Sequence, residues 1–450
     1  MSLKNGSLNF KDNKSTCTYR RFVTPGAEGL AEASYFCDQM KLFYDGLILF
    51  LRGAARVGAW FSPKLKAFVN GRRDVFSHLR AGLQAKPGRY IWVHCASLGE
   101  FEQGRPVIER LRSSLPQYKF LLTFFSPSGY EVRKNYEGAD IVCYLPWDTS
   151  GNARQWLSIV NPELVIFVKY EFWHHYIAAI KARGIPLVSI SSIFRPQQIY
   201  FRWYAGFYRR ILTNVTHFFV QNKESQQLLS RIGIRQHSLA GDTRFDRVVQ
   251  IVQQARDIDV AATFSRDADV LVAGSIWPND FDALQPIINE GGLRFIIAPH
   301  EISERFLSTM ESTLTVSHIR FSQASATDVS SYQVLFIDNV GMLSSLYRYG
   351  KYAYVGGGFR EGLHNILEAA CYGLPVCFGN KAYKAYQEAK DLIVERAAFA
   401  IGTSQELKSI LTWLDQPLNY TQASASASEY VARHTGATDK IVSYCKDLLK

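Results

Sequence analysis

Short apolar segments alternate with longer amphipathic segments in two successive series along this 450-residue chain, and this alternation constrains the fold more than any other feature. In the first series, from about residue 89 to residue 241, the predicted strands are 90–94, 119–123, 141–145, 164–169, 187–191 and 217–221. Helices are predicted between them, including 101–112 and 173–183. Buried strands separated by helices of about 10–15 residues are typical of βαβ units and therefore of a parallel sheet.

A second alternating series follows in the C-terminal half, after a polar stretch that carries no strand pattern. Its predicted strands are 270–273, 295–298, 334–337, 352–355 and 375–378, with a helix over 365–372. We therefore predict two parallel-sheet domains, 74–250 and 269–450, joined by a linker over 251–268. The last helix is a candidate to pack back on the first domain. Ligands of such sheets bind at the carboxyl ends of the strands, so a cleft between the domains is the expected site.

Composition narrows the class of protein further. Lys and Arg number 51 against 40 Asp and Glu, so the formal charge of +11 favours anionic partners: nucleic acid, an acidic lipid surface or a phosphorylated substrate. The longest apolar stretch, 42–51, has about half of the roughly 20 residues that a bilayer crossing needs, which excludes a polytopic membrane protein. The seven cysteines form no Cys-x-x-Cys pair, which predicts free thiols rather than a zinc ribbon.

The N-terminal region has two parts of different character. Residues 1–39 have a polar start and no signal-peptide pattern, so we expect a disordered lead-in. Residues 40–73 mix apolar turns with seven Lys and Arg and a single acid, Asp45, which predicts peripheral binding to an anionic membrane surface. An aromatic and basic segment, 200–212, either lies against lipid or packs its rings inward.

A first candidate site follows the opening strand, in the run Ser97-Leu98-Gly99-Glu100. Gly99 is expected to let the backbone turn tightly where the strand passes into a helix. Glu100 then stands at the helix start, at the carboxyl edge of the sheet. A carboxylate there can take a proton from an attacking hydroxyl, or it can simply complement the helix dipole, and spacing alone leaves both open.

A second carboxylate, Glu171, stands at the end of the fourth predicted strand, just before Trp173. It is either a cleft carboxylate or a helix cap. His174 and His175 follow directly, but adjacent helical residues point about 100° apart, so we predict no metal pair there. The Asp-x-Asp spacings at 257/259, 267/269 and 280/282 are interpreted as surface charge, and no metal site is predicted from them.

A third candidate site is the glycine loop after the strand 352–355. Gly356, Gly357 and Gly358 are consecutive, and His364, Asn365 and Glu368 follow at the start of the next helix. Amides at a helix start bind phosphate, and Glu368 can accept hydrogen bonds from sugar hydroxyls. Neither a Walker A nor a Gly-x-Gly-x-x-Gly pattern is met. A glycine-rich turn without a ligand is the alternative interpretation.

Together these motifs resemble the 3-deoxy-D-manno-octulosonic-acid (Kdo) transferases of lipopolysaccharide assembly, from about residue 40 to the C-terminus. The segments that carry the resemblance are 97–100, 123–129, 171–173, 241–246, 273–275, 356–358 and 364–368. The resemblance implies a GT-B fold with two Rossmann-like domains facing a cleft and the donor nucleotide mainly on the second domain. It also implies inverting transfer of Kdo from CMP-Kdo to the lipid A precursor, lipid IVA, without a metal or other cofactor, on the cytoplasmic face of the inner membrane.

The resemblance assigns roles to individual positions. Glu100 falls on the catalytic base. The acceptor side of the cleft comprises Ser97, Gly99, Glu171 and Arg244. Donor binding falls on Ser275, His300, Gly357, Gly358, His364, Asn365 and Glu368. No nucleic-acid partner is implied, and no oligomeric state is predicted.

The chain also departs from the family pattern. Arg244 stands where relatives commonly have lysine, Lys169 where they usually have a glutamate, and His300 follows Pro299 without the basic residue that normally precedes it. Two alternatives therefore stay open. One is another GT-B enzyme that uses a UDP-sugar, either a glycosyltransferase or an epimerase. The other is a non-catalytic basic protein that binds membrane or nucleic acid.

Overall fold

The computed structural model describes residues 27–325 and 329–450, with side chains from residue 39 onward. The chain begins with α1 (Ala27–Gly58), followed by α2 (Pro63–Asn70) and α3 (Val75–Ala85). The expected disordered lead-in is therefore wrong for 27–39, which form the first turns of α1, and its remainder lies outside the described residues. Residues 27–33 are rich in Ala, Glu and Leu, which are strong helix formers, and contain no proline.

The first domain is built on a parallel sheet. Its strands are β1 (Arg89–Cys95), β2 (Tyr118–Phe124), β3 (Ile141–Tyr144), β4 (Leu164–Val168), β5 (Leu187–Ser192), β6 (His217–Val220) and β7 (His237–Leu239). Its helices are α4 (Leu98–Ser114), α5 (Pro127–Arg133), α6 (Ser150–Val160), α7 (His174–Ala182), α8 (Gly206–Thr213), α9 (Lys223–Arg231) and α10 (Thr243–Gln253). The strand order across the sheet is β3-β2-β1-β4-β5-β6-β7.

The second domain repeats this plan. Its strands are β8 (Val270–Ile276), β9 (Arg294–Pro299), β10 (His318–Arg320), β11 (Val334–Phe336), β12 (Tyr352–Val355), β13 (Val376–Gly379) and β14 (Ala398–Ile401). Its helices are α11 (Asp259–Phe264), α12 (Pro278–Glu290), α13 (Glu304–Ser312), α14 (Leu343–Leu346), α15 (Leu367–Cys371), α16 (Gln387–Val394), α17 (Ser404–Leu414) and α18 (Pro417–Arg433), and the chain ends with α19 (Ala437–Leu448). The strand order is β10-β11-β9-β8-β12-β13-β14, again all parallel.

The prediction of two parallel-sheet domains is confirmed. Both sheets are covered on both faces, which explains why their central strands read as continuous apolar runs. In β1, Trp92 packs on one face against Trp156 and Phe167, with ring centroids 5.4 and 5.3 Å away, while Ile91 and Val93 join the core on the other face. Three edge strands, β7, β10 and β14, are missing from the sequence prediction because they are short and incompletely buried.

The two domains are joined through α10 rather than through the linker expected over 251–268. At its start, the Thr243 hydroxyl lies 2.9 Å from the Ser191 hydroxyl at the end of β5. Further along, Phe245 lies in the apolar core of the second domain. The expected linker also contains α11, whose Phe264 is buried in that same core. The polar segment 251–268 therefore contains a helix that belongs to the second domain.

The last helix returns to the first domain. Ile441 and Cys445 of α19 are fully buried in the core between the first sheet and α4. Asp246 of α10 fixes the start of α19, because its carboxylate accepts hydrogen bonds from the amides of Gly436 and Thr438 at 2.6 and 2.7 Å. The chain thus crosses between the domains twice.

Helix α1 lies on the first domain. The Tyr44 hydroxyl donates to the Asp148 carboxylate at 2.6 Å, and Asp45 pairs with His175. Asp148 is itself buried and also accepts the amide of His175 at 3.0 Å, so this contact anchors the helix to the loop after β3. None of the helices in the described ranges is long and apolar enough to span a bilayer.

The two interpretations of the aromatic segment 200–212, contact with lipid and inward packing, each apply to a part of it. Phe207, Ile211 and Leu212 of α8 are buried in the core of the first domain. Trp203 and Tyr204, just before α8, are 91% and 43% exposed. Part of the segment therefore packs inward, and its tip faces solvent.

Candidate active site

The candidate residues follow the strands at which each sheet reverses its order. In the first sheet β2 and β4 flank β1 on opposite sides, so the loops that leave β1 and β4 diverge and open a crevice. Glu100 follows β1, and Glu171 follows β4. In the second sheet β8 and β12 have the same relation. Ser275 lies at the end of β8, and Gly356 follows β12.

Glu100 occupies the first turn of α4 and is half-buried. Its carboxylate accepts a hydrogen bond from the Ala96 amide at 2.5 Å. Burial raises the pKa of Glu100 to about 7, and the charge of Glu171 adds to the rise, whereas the Ala96 amide and the Lys169 ammonium oppose it. A carboxylate with this pKa is a stronger base than an exposed glutamate and is about half ionised at pH 7.

Glu171 is held by two nitrogen atoms. Trp173 Nε1 donates to Glu171 Oε2 at 2.7 Å, and His94 Nε2 lies 3.2 Å from the same oxygen. The His94 ring is fully buried, with Nδ1 2.9 Å from the Thr123 hydroxyl. Helix α7 begins at His174 without a side-chain cap. The interpretation of Glu171 as a helix cap is therefore excluded.

Lys169 lies among the charges of both domains. Its backbone has φ of 63°, a left-handed conformation that residues other than glycine adopt mainly at strained or functional positions. Burial lowers the pKa of Lys169; the carboxylates of Asp242, Glu100 and Glu388 oppose that shift, and Arg244 reinforces it. Its ammonium group is therefore close enough to interact with Glu100 and with the charges around α10.

Arg244 pairs across the two domains instead of lining an open surface. Its guanidinium donates to Asp242 at 2.9 Å and to Glu388 of α16, in the second domain, also at 2.9 Å. Burial alone would lower the pKa of Arg244, but the two carboxylates raise it, so the group stays charged. The positive charge at this position is used to hold the domains together.

Ser97 and Gly99 surround Glu100 on α4. Ser97 is the N-cap residue, with an extended backbone and no capping hydrogen bond from its side chain. The expectation that Gly99 permits a tight turn is wrong, because its backbone is not in the positive-φ region and a Cβ there would meet no atom within 4 Å. Gly99 is exposed, so the position of its missing side chain is open.

Asp280 organises the glycine loop of the second domain. Its side chain is fully buried, and its carboxylate accepts hydrogen bonds from the amides of Gly357 and Trp277 at 2.8 and 3.1 Å and from the Tyr354 hydroxyl at 3.0 Å. The interpretation of Asp280 as surface charge is therefore wrong. Three donors compensate the cost of burying a carboxylate.

The three glycines are required by close backbone contacts. A Cβ at Gly356 would lie 2.1 Å from the carbonyl oxygen of Ser275, and one at Gly358 would lie 2.5 Å from the amide and carbonyl of Gly379. Gly357 adopts a φ of 86°. The loop therefore connects the ends of β8, β12 and β13 through backbone contacts.

Three rings stack beside this loop. The His300 ring packs against both Trp277 and His364, with centroids 4.4 and 4.5 Å away. Trp277 Nε1 lies 3.1 Å from His364 Nε2, and since an indole nitrogen only donates, His364 carries its proton on Nδ1. Burial lowers the pKa of His364 to about 4, helped by His300, so this ring is neutral near pH 7.

Asn365 and Glu368 form a pair at the start of α15. Asn365 Nδ2 donates to Glu368 at 3.0 Å, and Asn365 Oδ1 accepts the Leu367 amide at 3.3 Å, so the helix begins at Leu367 and not at Asn365 as predicted. The amides of Asn365 and Ile366 donate no hydrogen bond within the described part of the chain. Burial raises the pKa of Glu368, and the Asn365 hydrogen bond opposes the rise.

Two cavities open on the side of the second domain that carries α12. One, of about 530 Å³ between α12 and α13, is lined by Trp277 and Arg305 among others. The other, of about 440 Å³, is lined by Arg360 and Lys381 beside the glycine loop. Within 27–325 and 329–450, no group of three or more His, Cys, Asp or Glu side chains could hold a metal ion.

Comparison with known proteins finds similarity to one family of transferases. The model of a family described as 3-Deoxy-D-manno-octulosonic-acid transferase (kdotransferase) matches residues 71–247, which include Glu100, Glu171 and Arg244. The 3-deoxy-D-manno-octulosonic acid transferase of Aquifex aeolicus is 26% identical over 332 residues, which are 72% of this chain and 85% of that protein. The protein of the same name from Bordetella pertussis is 24% identical over 433 residues, 89% and 98% of the two chains. The chain is similar to the Kdo transferases over most of its length.

These similarities confirm the resemblance to the Kdo transferases and support a glycosyltransferase. Solved structures show the same fold. The UDP-GlcNAc 2-epimerase of Neisseria meningitidis has a TM-score of 0.54 at 15% identity, covering 77% of this chain and 99% of its own. MurG of Acinetobacter baumannii has a TM-score of 0.51 at 11% identity, covering 80% and 100%. The predicted GT-B fold is confirmed.

Sequence reasoning places Glu100 and Glu171 at one crevice and the glycine loop beside His364, but it misses the groups that support them. Asp280 could have been found from its place three residues after Trp277, because a carboxylate there commonly accepts the amide at a helix start. The left-handed backbone of Lys169 has no comparable signal in the sequence.

Proposed function

We propose that this chain transfers Kdo from CMP-Kdo to the lipid A precursor, lipid IVA, with inversion of the anomeric configuration and without a metal ion. The observation that carries the proposal is the pair of Glu100 and Glu171 at the crevice between β1 and β4, with the pKa of Glu100 raised to about 7. Similarity to the Kdo transferases supports Kdo as the transferred sugar.

Glu100 acts as the general base in this proposal. As the acceptor hydroxyl attacks the anomeric carbon of Kdo, Glu100 takes the hydroxyl proton. The bond between that carbon and the phosphate oxygen breaks, and CMP leaves with the electron pair. A single displacement inverts the configuration. Glu171, held by Trp173 and His94, keeps a negative charge close to Glu100 and so maintains its basicity.

The second domain holds the donor. The amides of Asn365 and Ile366 are available for the phosphate, and the Asn365–Glu368 pair for the ribose hydroxyls. CMP carries a single phosphate, so its charge is balanced with fewer donors than a nucleoside diphosphate needs. The usual reason for a bridging Mg²⁺ is correspondingly weaker.

The N-terminal helices bring the enzyme to the cytoplasmic face of the inner membrane as a peripheral protein. Large apolar side chains on α1, and between α1 and α2, are exposed to solvent: Leu42 (71%), Phe43 (64%), Phe50 (70%), Trp60 (84%) and Phe61 (82%). Cations of the same segment alternate with them. Apolar groups that enter the headgroup region beside cations that meet anionic lipids are typical of interfacial helices.

The deciding experiment is transfer of radiolabelled Kdo from CMP-Kdo to tetra-acylated lipid A precursor by the full-length protein. We expect labelled product in the presence of EDTA as well as in its absence. No transfer under either condition would overturn the proposed reaction, and activity abolished by EDTA and restored by Mg²⁺ would overturn the metal-free part.

Nucleotide binding separates this proposal from a UDP-sugar enzyme. A ligand that binds only the folded state raises the melting temperature, so CMP should raise it and UDP should not. Glu368→Ala should weaken CMP binding in calorimetry. Protection by UDP alone would favour the UDP-sugar alternative.

A further inference from the structure

A pocket of about 770 Å³ lies between α1, α2 and the loop after β3, and the candidate active site does not include it. Its walls carry an unusual concentration of positive charge. The cations that line it are Arg52, Arg56, Lys66, Arg72 and Arg73. Trp60 and Trp147 also line it, and none of the described lining residues is acidic.

Arg72 is the buried cation of this pocket. It is 9% exposed, and its guanidinium donates to the carbonyl oxygens of Leu145 and Phe68 at 3.0 and 2.8 Å and to that of Phe125. The Phe68 ring lies 3.8 Å from its Cζ. Burial lowers the pKa of Arg72 to about 10, and the groups that oppose this shift are two tyrosine phenols. Carbonyl oxygens accept from three of its five N–H groups, and no carboxylate of the described chain neutralises its charge.

A buried guanidinium without a counter-ion is costly unless an anion arrives from outside the chain. The other four cations are exposed or half-buried around it, so they can reach the same ligand. We infer that this pocket binds the phosphate monoester of a lipid headgroup. A monoester carries up to two negative charges and presents oxygens that an arginine fork can bind in pairs.

The surroundings indicate a lipid as the source of the phosphate. Trp60, which lines the pocket, is 84% exposed, and Phe61 next to it is 82% exposed. Exposed aromatic side chains at the rim of a cationic pocket suit an acyl chain that continues from the bound headgroup. A free phosphate ion would gain nothing from them.

The pocket is also connected to the carboxylates of the cleft. The Arg72 guanidinium lies 4.6 Å from the centroid of the Phe125 ring, which packs against the Trp173 ring with centroids 4.8 Å apart. Trp173 in turn donates to Glu171 at 2.7 Å. Two aromatic rings therefore separate the phosphate pocket from the acceptor side of the cleft. This proximity assigns the bound phosphate to the lipid acceptor itself, an assignment that rests on the proposed function.

Vesicle binding by the full chain tests the pocket without requiring transfer. We compare phosphatidylcholine vesicles that contain phosphatidic acid, a monoester, with vesicles that contain phosphatidylglycerol, a diester, at equal surface charge. Hydrogen bonds from the arginines to the more highly charged monoester are stronger, so we expect its dissociation constant to be lower by about tenfold or more. The R56A and R73A variants should lose this preference.

Lys64 provides the matched control. It is exposed and lies on α2, yet it does not line the pocket, so K64A removes one charge from the same segment and should keep the preference. Equal loss in K64A and R56A, or no preference in the unaltered protein, would show diffuse attraction and overturn the proposal. Displacement by inorganic phosphate at the concentration of the lipid phosphate would assign the pocket to free phosphate and overturn the lipid source.

Kinetics test the assignment to the acceptor. R56A should raise the KM for the lipid acceptor about tenfold while the KM for CMP-Kdo stays unchanged. R72K retains the charge but loses the fork, and should show the same effect if it folds. An unchanged acceptor KM in R56A would overturn this assignment. Should the protein prove inactive in transfer, the vesicle comparison still decides whether the pocket binds a lipid phosphate.

Discussion

Glu100 and Glu171 are held differently, and this difference separates their roles. Glu171 has one oxygen fixed by Trp173 and His94, which restricts its orientation. Glu100 accepts hydrogen bonds from main-chain amides at the start of α4, and no side chain of the described residues donates to it. A base must be able to meet its substrate, so Glu100 is the better candidate for proton transfer and Glu171 for the electrostatic setting.

Replacing Glu100 by glutamine should remove basicity while keeping the shape of the side chain. We expect kcat of Glu100→Gln to fall by about 10²–10⁴ with CMP affinity nearly unchanged, because the proposed donor site lies on the other domain. Glu109→Gln, the same substitution further along α4, is the control and should keep kcat. A Glu100→Gln enzyme with more than about a tenth of the original kcat, when chemistry limits turnover, would contradict the role.

The raised pKa of Glu100 predicts the pH dependence. Below pH 7 the carboxyl becomes protonated and cannot accept a proton, so kcat/KM should fall as pH falls through about 7. Burial is the main cause of this pKa, and the charge of Glu171 is the second. Glu171→Gln should therefore move the acidic limb to lower pH. If the acidic limb of the kcat/KM profile of the unaltered enzyme has its midpoint near the ordinary glutamate pKa of about 4, the prediction is wrong.

At the residue scale, the sequence reveals groups that follow strands but not groups that depend on burial. Glu100 and Glu171 could be placed because each comes directly after an apolar strand. Asp280 has an equally simple position, yet its burial depends on Tyr354 and Gly357, which are distant in sequence. Its capping of the helix start could be predicted from spacing, but its contacts with the glycine loop could not.

At the scale of elements, the glycine loop depends on contacts between backbones. We expect Gly358→Ala to destabilise the second domain by about 1–3 kcal/mol, because its Cβ would overlap the backbone of Gly379. Thermal unfolding measures this change, and CMP binding should weaken with it. Gly99→Ala is the matched control, since its Cβ would meet nothing, and its melting temperature should not fall. Equal stability of the two variants would contradict the contact.

Central strands could be predicted because burial on both faces produces an apolar run. Edge strands could not, since β7 and β10 have three residues each, all half-buried. The N-terminal helix was also hard to bound, because α1 rests on the first domain through Tyr44 and Asp45 rather than through a continuous apolar stripe. Its exposed Leu42 and Phe43 follow no pattern of a buried helix.

At the scale of the whole molecule, α10 and α19 connect the two domains side by side. Asp246→Ala removes the acceptor that fixes the start of α19, and the loss of its hydrogen bonds should cost about 1–3 kcal/mol of the free energy of unfolding. Asp439→Ala, an exposed change in the first turn of the same helix, should cost much less. Denaturant unfolding compares the two, and equal effects would contradict the role of Asp246.

The existence of two domains and a cleft follows from strand alternation, but the position of the crossing does not. Residues 251–268 contain the short helix α11, which exposes one side and buries Phe264. Its exposed polar residues obscured the helix in the sequence. The true crossing, α10, is amphipathic and resembles any other helix of the fold. Only the tertiary structure shows that Phe245 belongs to one domain and Thr243 to the other.

The double crossing has a consequence for how the two halves of the enzyme can move. A single flexible connection would allow the two domains to tilt, twist and slide relative to each other in any direction. Two adjacent connections, held together by the hydrogen bonds between Asp246 and Thr438, restrict the domains to rotation about essentially one axis. Opening and closing would then follow one arc, so that each closure presents the same donor atoms to the same acceptor hydroxyl.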